Sequence, residues 1–138
     1  MTFRLANASD DLLVRQVRLL RDCVALAQQR WDFTIDAAVV LPNEMQLLCL
    51  FQDANFGTRG AIKLICSAFE HHSPRNETNV WAAETEVIEI SGAVAPLRRT
   101  FVEAAPVRAG LVKAAADWPY SSAHKRTAQG DEMGVAVA

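Results

Sequence analysis

The spacing of apolar positions changes period several times along this chain, and each change marks an element. Met1 to Ala6 alternates weakly through Phe3 and Leu5, which predicts a short first strand. Asn7-Ala8-Ser9-Asp10 follows, and short polar side chains accept hydrogen bonds from the unpaired N–H groups of a helix start. From about Asp11 to Arg30 the period is helical. Leu13, Val17, Leu20, Val24 and Ala27 share one face, while Arg15, Arg18, Asp22 and Gln29 fall elsewhere. Phe33, Ile35 and Ala37 then alternate with Thr34 and Asp36 before the apolar run Ala38-Val39-Val40-Leu41, a strand buried more deeply at its end. Pro42-Asn43 is a turn signal, and Met45 to Phe51 is a second apolar run, so the two runs pair as an antiparallel hairpin.

After a loop from Gln52 to Gly57, Thr58 to His72 reads as a helix with Ile62, Ile65 and Phe69 on one face and Ser73-Pro74 as its stop. Arg75 to Asn79 is polar loop. Thr85 to Ile90 predicts a fourth strand through Glu86, Ile88 and Ile90, Ser91-Gly92 breaks it, and a helix from about Ala93 to Ala105 is bent or ended by Pro106. Gly110 and Asp117-Trp118-Pro119 mark further turns. The first six elements run strand, helix, strand, strand, helix, strand. That is the split βαβ, or ferredoxin-like, arrangement, in which two helices cover one face of an antiparallel sheet, here with a C-terminal helix added. The expected class is α+β, as one domain over residues 1–126 with a flexible tail over 127–138. A fold of this kind hosts many activities and implies none.

Composition narrows the field. A chain of 138 residues with 51% hydrophobic and 22% charged residues is globular, and its size lets it bury roughly two thirds of its unfolded surface without staples. Its apolar runs are far shorter than the ~20 residues a bilayer demands, and Arg4 and Asp10-Asp11 interrupt any signal-like start, so the chain reads as cytoplasmic. Cys23, Cys49 and Cys66 lie in apolar segments and read as buried thiols, not as disulfides or a metal cluster. The net charge of −2 weighs against an obvious nucleic-acid binder. Its distribution says more. Residues 98–126 carry Arg98, Arg99, Arg108, Lys113, Lys125 and Arg126 against Glu103 and Asp117, a local charge of +4. Such a segment can neutralise phosphates without reading sequence, although a solvated basic helix surface would have the same composition.

Three stretches go beyond fold. They are Leu41-Pro42-Asn43-Glu44-Met45-Gln46-Leu47-Leu48, then Phe101-Val102-Glu103-Ala104-Ala105-Pro106-Val107-Arg108-Ala109-Gly110-Leu111-Val112, then Asp117-Trp118-Pro119-Tyr120-Ser121-Ser122-Ala123-His124. Their order and spacing resemble the REP-associated tyrosine transposases, a branch of the HUH single-tyrosine transposases. Phe3-Arg4-Leu5-Ala6 with Asp10 to Val14, and Asp53 to Arg59 after the hairpin, resemble the same family, so the likeness covers most of residues 1–126. Proteins of that family carry two histidines one residue apart on a strand, hence on one face. The histidines help hold a divalent metal that polarises the scissile phosphate. A helical tyrosine then attacks phosphorus to give a covalent link. The resemblance implies single-stranded or hairpin DNA as partner, DNA transposition as activity, and no membrane; a homodimer is left open.

The chain departs from this pattern at the chemistry. Glu44 and Gln46 stand at the histidine positions, Phe101 stands at the tyrosine position, and Ala105 replaces the asparagine before Pro106. Phenylalanine has no hydroxyl with which to attack phosphate. Glu44 and Gln46 offer oxygen ligands suited to Mg²⁺ or Mn²⁺, but two donors are few for a metal site, and the pair reads first as polar residues at a strand start. From Trp81 to Ile90 the family tends to be basic and aromatic, whereas this chain offers Glu84, Glu86 and Glu89. The expectation is therefore a catalytically inactive relative for which no cofactor is expected, binding DNA through Arg98, Arg99, Arg108, Lys113, Lys125 and Arg126. The alternatives are a ferredoxin-like interaction module with no nucleic-acid role, or a metal nuclease using Glu44 and Gln46 with water or Tyr120. Tyr120, the only tyrosine, also reads as a loop aromatic beside Trp118. His71-His72 suit the negative end of a helix dipole, and His124 is either a surface residue or a phosphate contact.

Overall fold

The computed structural model describes residues 1–73 and 79–133. Within them lie strands β1 (Thr2–Arg4), β2 (Phe33–Val40) and β3 (Glu44–Phe51). The helices are α1 (Leu12–Arg15), α2 (Val17–Trp31), α3 (Ala54–His72), α4 (Ala95–Glu103), α5 (Ala105–Arg108) and α6 (Ser122–Met133). The architecture is α+β, built on an antiparallel sheet of order β1-β3-β2.

The helix read over 11–30 is two helices. The chain turns at Gln16, so that Leu12 and Leu13 bury with α1 while Leu20, Cys23, Val24 and Ala27 bury along α2. α2 ends at Asp32, whose φ of 47° is a left-handed value that aspartate tolerates better than most residues. The hairpin pairs Val40 with Met45 and Phe33 with Phe51, and its register shifts between Ile35 and Ala37. Asp36 is the extra residue of that β-bulge, and the bulge reverses which parity faces which side. Phe33 and Ile35 therefore share a core with Ala38 and Val40, while Ala37, Val39 and Leu41 face the other way. That explains the strand's unbroken apolar end, because there it is covered on both faces.

One core lies between the sheet and α1–α3 and includes Phe3, Leu20, Met45, Ile65 and Phe69. Each of these large apolar side chains contributes roughly 1.5–3 kcal/mol by burial. The second core sets Ala37, Val39 and Leu41 against Val102 and Ala105, so α4 and α5 form a layer on the opposite sheet face. Pro106 does not end the helical region. It sits in the first turn of α5, where a missing N–H costs nothing. Gly110, at φ 75°, then turns the chain away.

The fourth strand expected over Thr85–Ile90 is not formed. Residues 80–86 run along the free edge of β1 instead, with bridges at Leu5 to Trp81 and Thr2 to Glu86. Five residue steps on this segment answer three on β1, so a continuous ladder cannot form, and beyond Glu86 the strand offers no further partners. Val87 and Ile88 are left exposed.

The Trp118–Ser122 stretch straps the outer edge of β2. Val40 N–H donates to Tyr120 O at 2.8 Å, and Trp118 Nε1 donates to Val40 O at 2.9 Å. α6 continues past Thr127 to Met133. Residues 74–78 of the polar loop and 134–138 of the tail lie outside the described residues. Among the described residues no helix is long and apolar enough to cross a membrane.

Candidate nucleic-acid interface

Strand alternation turns Met45 and Leu47 into the first core and sets Glu44 and Gln46 on the face that α4 covers. β1 alternates in the same sense, burying Phe3 and bringing Arg4 opposite Glu44. Arg4 Nε donates to Glu44 Oε1 at 2.9 Å, and Arg4 Nη1 donates to Glu86 Oε2 at 2.9 Å. The Glu86 hydrogen bond, then that of Glu44, holds the Arg4 guanidinium above its ordinary pKa. Gln46 is buried; its Nε2 donates to Glu44 Oε2 at 2.7 Å, and its Oε1 is buried without a hydrogen-bond partner. A small cleft lined by Gln46, Glu86, Arg98 and Val102 joins this position to α4.

Phe101 lies on α4, 45% exposed. The Arg98 guanidinium carbon stands 4.7 Å from the ring centroid and that of Arg108 3.8 Å, both within cation–π range. Arg108 Nη1 also donates to Phe101 O at 2.6 Å. The position that the resemblance assigns to the family tyrosine is thus an aromatic ring accompanied by two cations, with no hydroxyl.

The six expected basic residues meet three fates. Arg98 and Arg108 attend Phe101. Arg99 makes a two-pronged pair with Asp36, Nε to Oδ2 at 3.0 Å and Nη2 to Oδ1 at 2.9 Å, because the bulge aims Asp36 outward. Arg126 makes another with Glu103, at 2.7 and 2.5 Å, and Ser122 Oγ donates to the same carboxylate at 2.5 Å. Burial alone would raise the Glu103 pKa, but the hydrogen bonds from Arg126 and Ser122 outweigh it and hold the carboxyl below its ordinary value. Arg99 and Arg126 are near enough for each charge to act on the other's neighbours, so they do share a face, with Asp36 and Glu103 among them. Lys113 and Lys125 are exposed.

The remaining candidates have structural partners. Tyr120 packs edge-on to Trp118, centroids 5.5 Å apart, and against the first core. His124 Nδ1 lies 2.8 Å from Ala116 O and ties α6 to the preceding turn. His71 and His72 close α3 with their rings edge to face. The three cysteines are free thiols; burial pushes Cys49 up to about 12 and Cys66 up to about 11, and raises Cys23 too. Sequence reasoning missed Arg4, Asp36 and Glu86. Only the alternation of Arg4 with Phe3 and Leu5 signalled any of them, and it names a face, not a partner.

No family model matches the chain. It is 26% identical over 130 residues to the REP-associated tyrosine transposase of Escherichia coli K12, covering 94% of this chain and 78% of that protein. A solved structure of a REP-associated tyrosine transposase bound to a REP hairpin superposes with a TM-score of 0.78 at 27% identity, covering 94% of this chain and 78% of that one. These relatives overturn one expectation. That no cofactor is needed does not follow for a chain homologous to a metal-dependent transposase family. The residues at positions 44 and 46 nevertheless do not fit an ion as they stand. Both Glu44 oxygens are engaged by Arg4 and Gln46, and among the described residues no three His, Cys, Asp or Glu side chains converge on a metal position. Sequence similarity over nearly the whole chain, together with the shared fold, relates this chain to the REP-associated tyrosine transposases.

Proposed function

We propose that the chain binds hairpin or single-stranded DNA as its relatives do and has lost tyrosine-dependent strand cleavage. The observation behind this reading is Phe101. At the family's nucleophile position stands an exposed ring between Arg98 and Arg108, which keeps cations suited to phosphate and lacks the oxygen that attacks it. The solved relative was captured on a REP hairpin, which supports the binding half.

Binding rests on Arg98, Arg108, Lys113 and Lys125, since Arg99 and Arg126 are committed to Asp36 and Glu103. If those four each neutralise one phosphate of a single strand, log K falls with log salt at a slope of about −3. Raising salt from 50 to 200 mM then weakens binding roughly 50-fold, and the full six would give roughly 300-fold. Fluorescence anisotropy with a labelled hairpin bearing a single-stranded flank measures this. No binding at low salt would refute the binding half. A covalent protein–DNA adduct on a nicked hairpin substrate, retained through denaturation, would refute the loss of cleavage.

The same two ion pairs favour a second reading, an interaction module with no nucleic-acid role, because they remove much of the basic surface that composition promised. A salt-independent, low-affinity response to DNA would select it.

A further inference from the structure

On the sheet face opposite Glu44 and Gln46, a cleft of about 600 Å³ opens between α2 and the segment 119–125. Its volume is that of a small-ligand site. The floor is apolar, formed by side chains of β2 and β3 including Ala38 and Val40. Tyr120 stands on one wall and Val24 and Ala25 on the other, and Arg21, His124 and Lys125 stand at the rim. No described Asp or Glu lines it, in a chain where acids outnumber lysine and arginine. None of the positions carrying the family's chemistry belongs to it.

We infer that this cleft takes a nucleobase of single-stranded DNA, with the adjoining phosphate on Arg21 and Lys125. The inference rests on the DNA-binding reading and adds a site to it. An apolar interior with one aromatic wall suits a planar ring, and a base stacks on an aromatic side chain without regard to sequence. A rim of cations without a lining carboxylate suits an anion attached to that ring. A nucleotide presents both features within one unit, whereas an apolar peptide or lipid tail uses only the floor. Gln28 places a polar group along the wall where the edge of a base would lie.

The test uses two labelled probes, a blunt hairpin and the same hairpin with a single-stranded extension, each measured by anisotropy. Ala25 is exposed, so Ala25→Trp fills the cleft without entering the core. Wild type should prefer the extended hairpin, and Ala25→Trp should erase that preference by about tenfold while leaving the blunt hairpin unchanged, the size of effect a stacked base produces. Lys125→Glu should reduce the preference similarly and serves as the reference should circular dichroism show Ala25→Trp misfolded. 5-Iododeoxyuridine in the extension should photo-cross-link to Tyr120. Undiminished preference in either folded variant overturns the inference and spares the binding reading, as does a wild type that binds both probes equally. A wild type that binds neither probe overturns both.

Discussion

Replacing Glu103 by glutamine removes one charge from the junction of α4 and α6 while keeping the side chain's shape. The Glu103 side chain is 8% exposed and that of Arg126 55%. Breaking a fully buried ion pair costs about 3–5 kcal/mol, and breaking an exposed one about 0–1 kcal/mol. This pair lies between those limits, with the carboxylate in the protein and the guanidinium half in water, so about 2 kcal/mol is expected. For a chain of this length that lowers Tm by roughly 5–8 °C. The pH dependence follows from the direction of the Glu103 shift. Its folded pKa is depressed, because the bonds from Arg126 and Ser122 outweigh the burial that would raise it. The stabilisation is therefore complete above the unfolded carboxyl's pKa and is lost as pH falls through the folded value. Wild type and Glu103→Gln should differ by the full amount at pH 7 in urea unfolding and converge below the ordinary carboxylate range, where both side chains are neutral amide or acid. A difference under about 0.5 kcal/mol at pH 7, or one that does not shrink with acid, would show that Glu103 is not the charge holding α6 to α4.

Phe101→Tyr places a phenol beside Arg98 and Arg108, so it should ionise below the ordinary tyrosine value of about 10; because Tyr120 is the only native tyrosine, the variant-minus-wild-type absorbance titration at 295 nm reports it directly. Gly60→Ala should cost about 1–3 kcal/mol despite alanine's higher helix propensity, since the Trp31 indole occupies the space its Cβ needs. In a Trp31→Ala background the same change should become neutral or stabilising, as judged by urea midpoints. The native thiols should react with Ellman's reagent at pH 8 orders of magnitude more slowly than the unfolded chain, because burial holds Cys49 near 12 and Cys66 near 11 and leaves little thiolate.

What the sequence revealed and what it hid divide along the range of the interactions involved. Helix faces and the hairpin are local periodicities, and Leu20, Val24, Ile65 and Phe69 are buried as their spacing foretold. The strand read over Thr85–Ile90 failed because pairing depends on how many residues its neighbour offers, and β1 ends at Thr2. The bulge at Asp36 was equally hidden, since one extra residue in an alternating run looks like a run that has become wholly apolar. At the candidate site, spacing gave the shared face of Glu44 and Gln46. It could not give Arg4 and Glu86, which reach that face only through the sheet's order.

A charge count along the chain misleads for the same reason. Residues 98–126 sum to +4, but a sum along the chain treats Asp36 as distant, and folding puts it on Arg99. Glu103 enters that sum as one negative charge, whereas in the fold it is a buried partner that fixes Arg126 in place. What remains for a ligand is smaller and divided between the two sheet faces. Arg98 and Arg108 flank Phe101 on the α4 side, and Lys125 joins Arg21 at the cleft on the α2 side. DNA held by both sets must pass around the outer edge of β2, where the Trp118–Ser122 strap runs. Strand and strap are fixed there by hydrogen bonds from the backbone and from the Trp118 and Ser122 side chains, so the two cation sets keep a constant separation. Substituting one set should therefore leave the other's contacts intact, and the effects of Arg98→Glu and Lys125→Glu on binding free energy should add. Strong non-additivity between them would place both on one phosphate cluster and refute the divided arrangement.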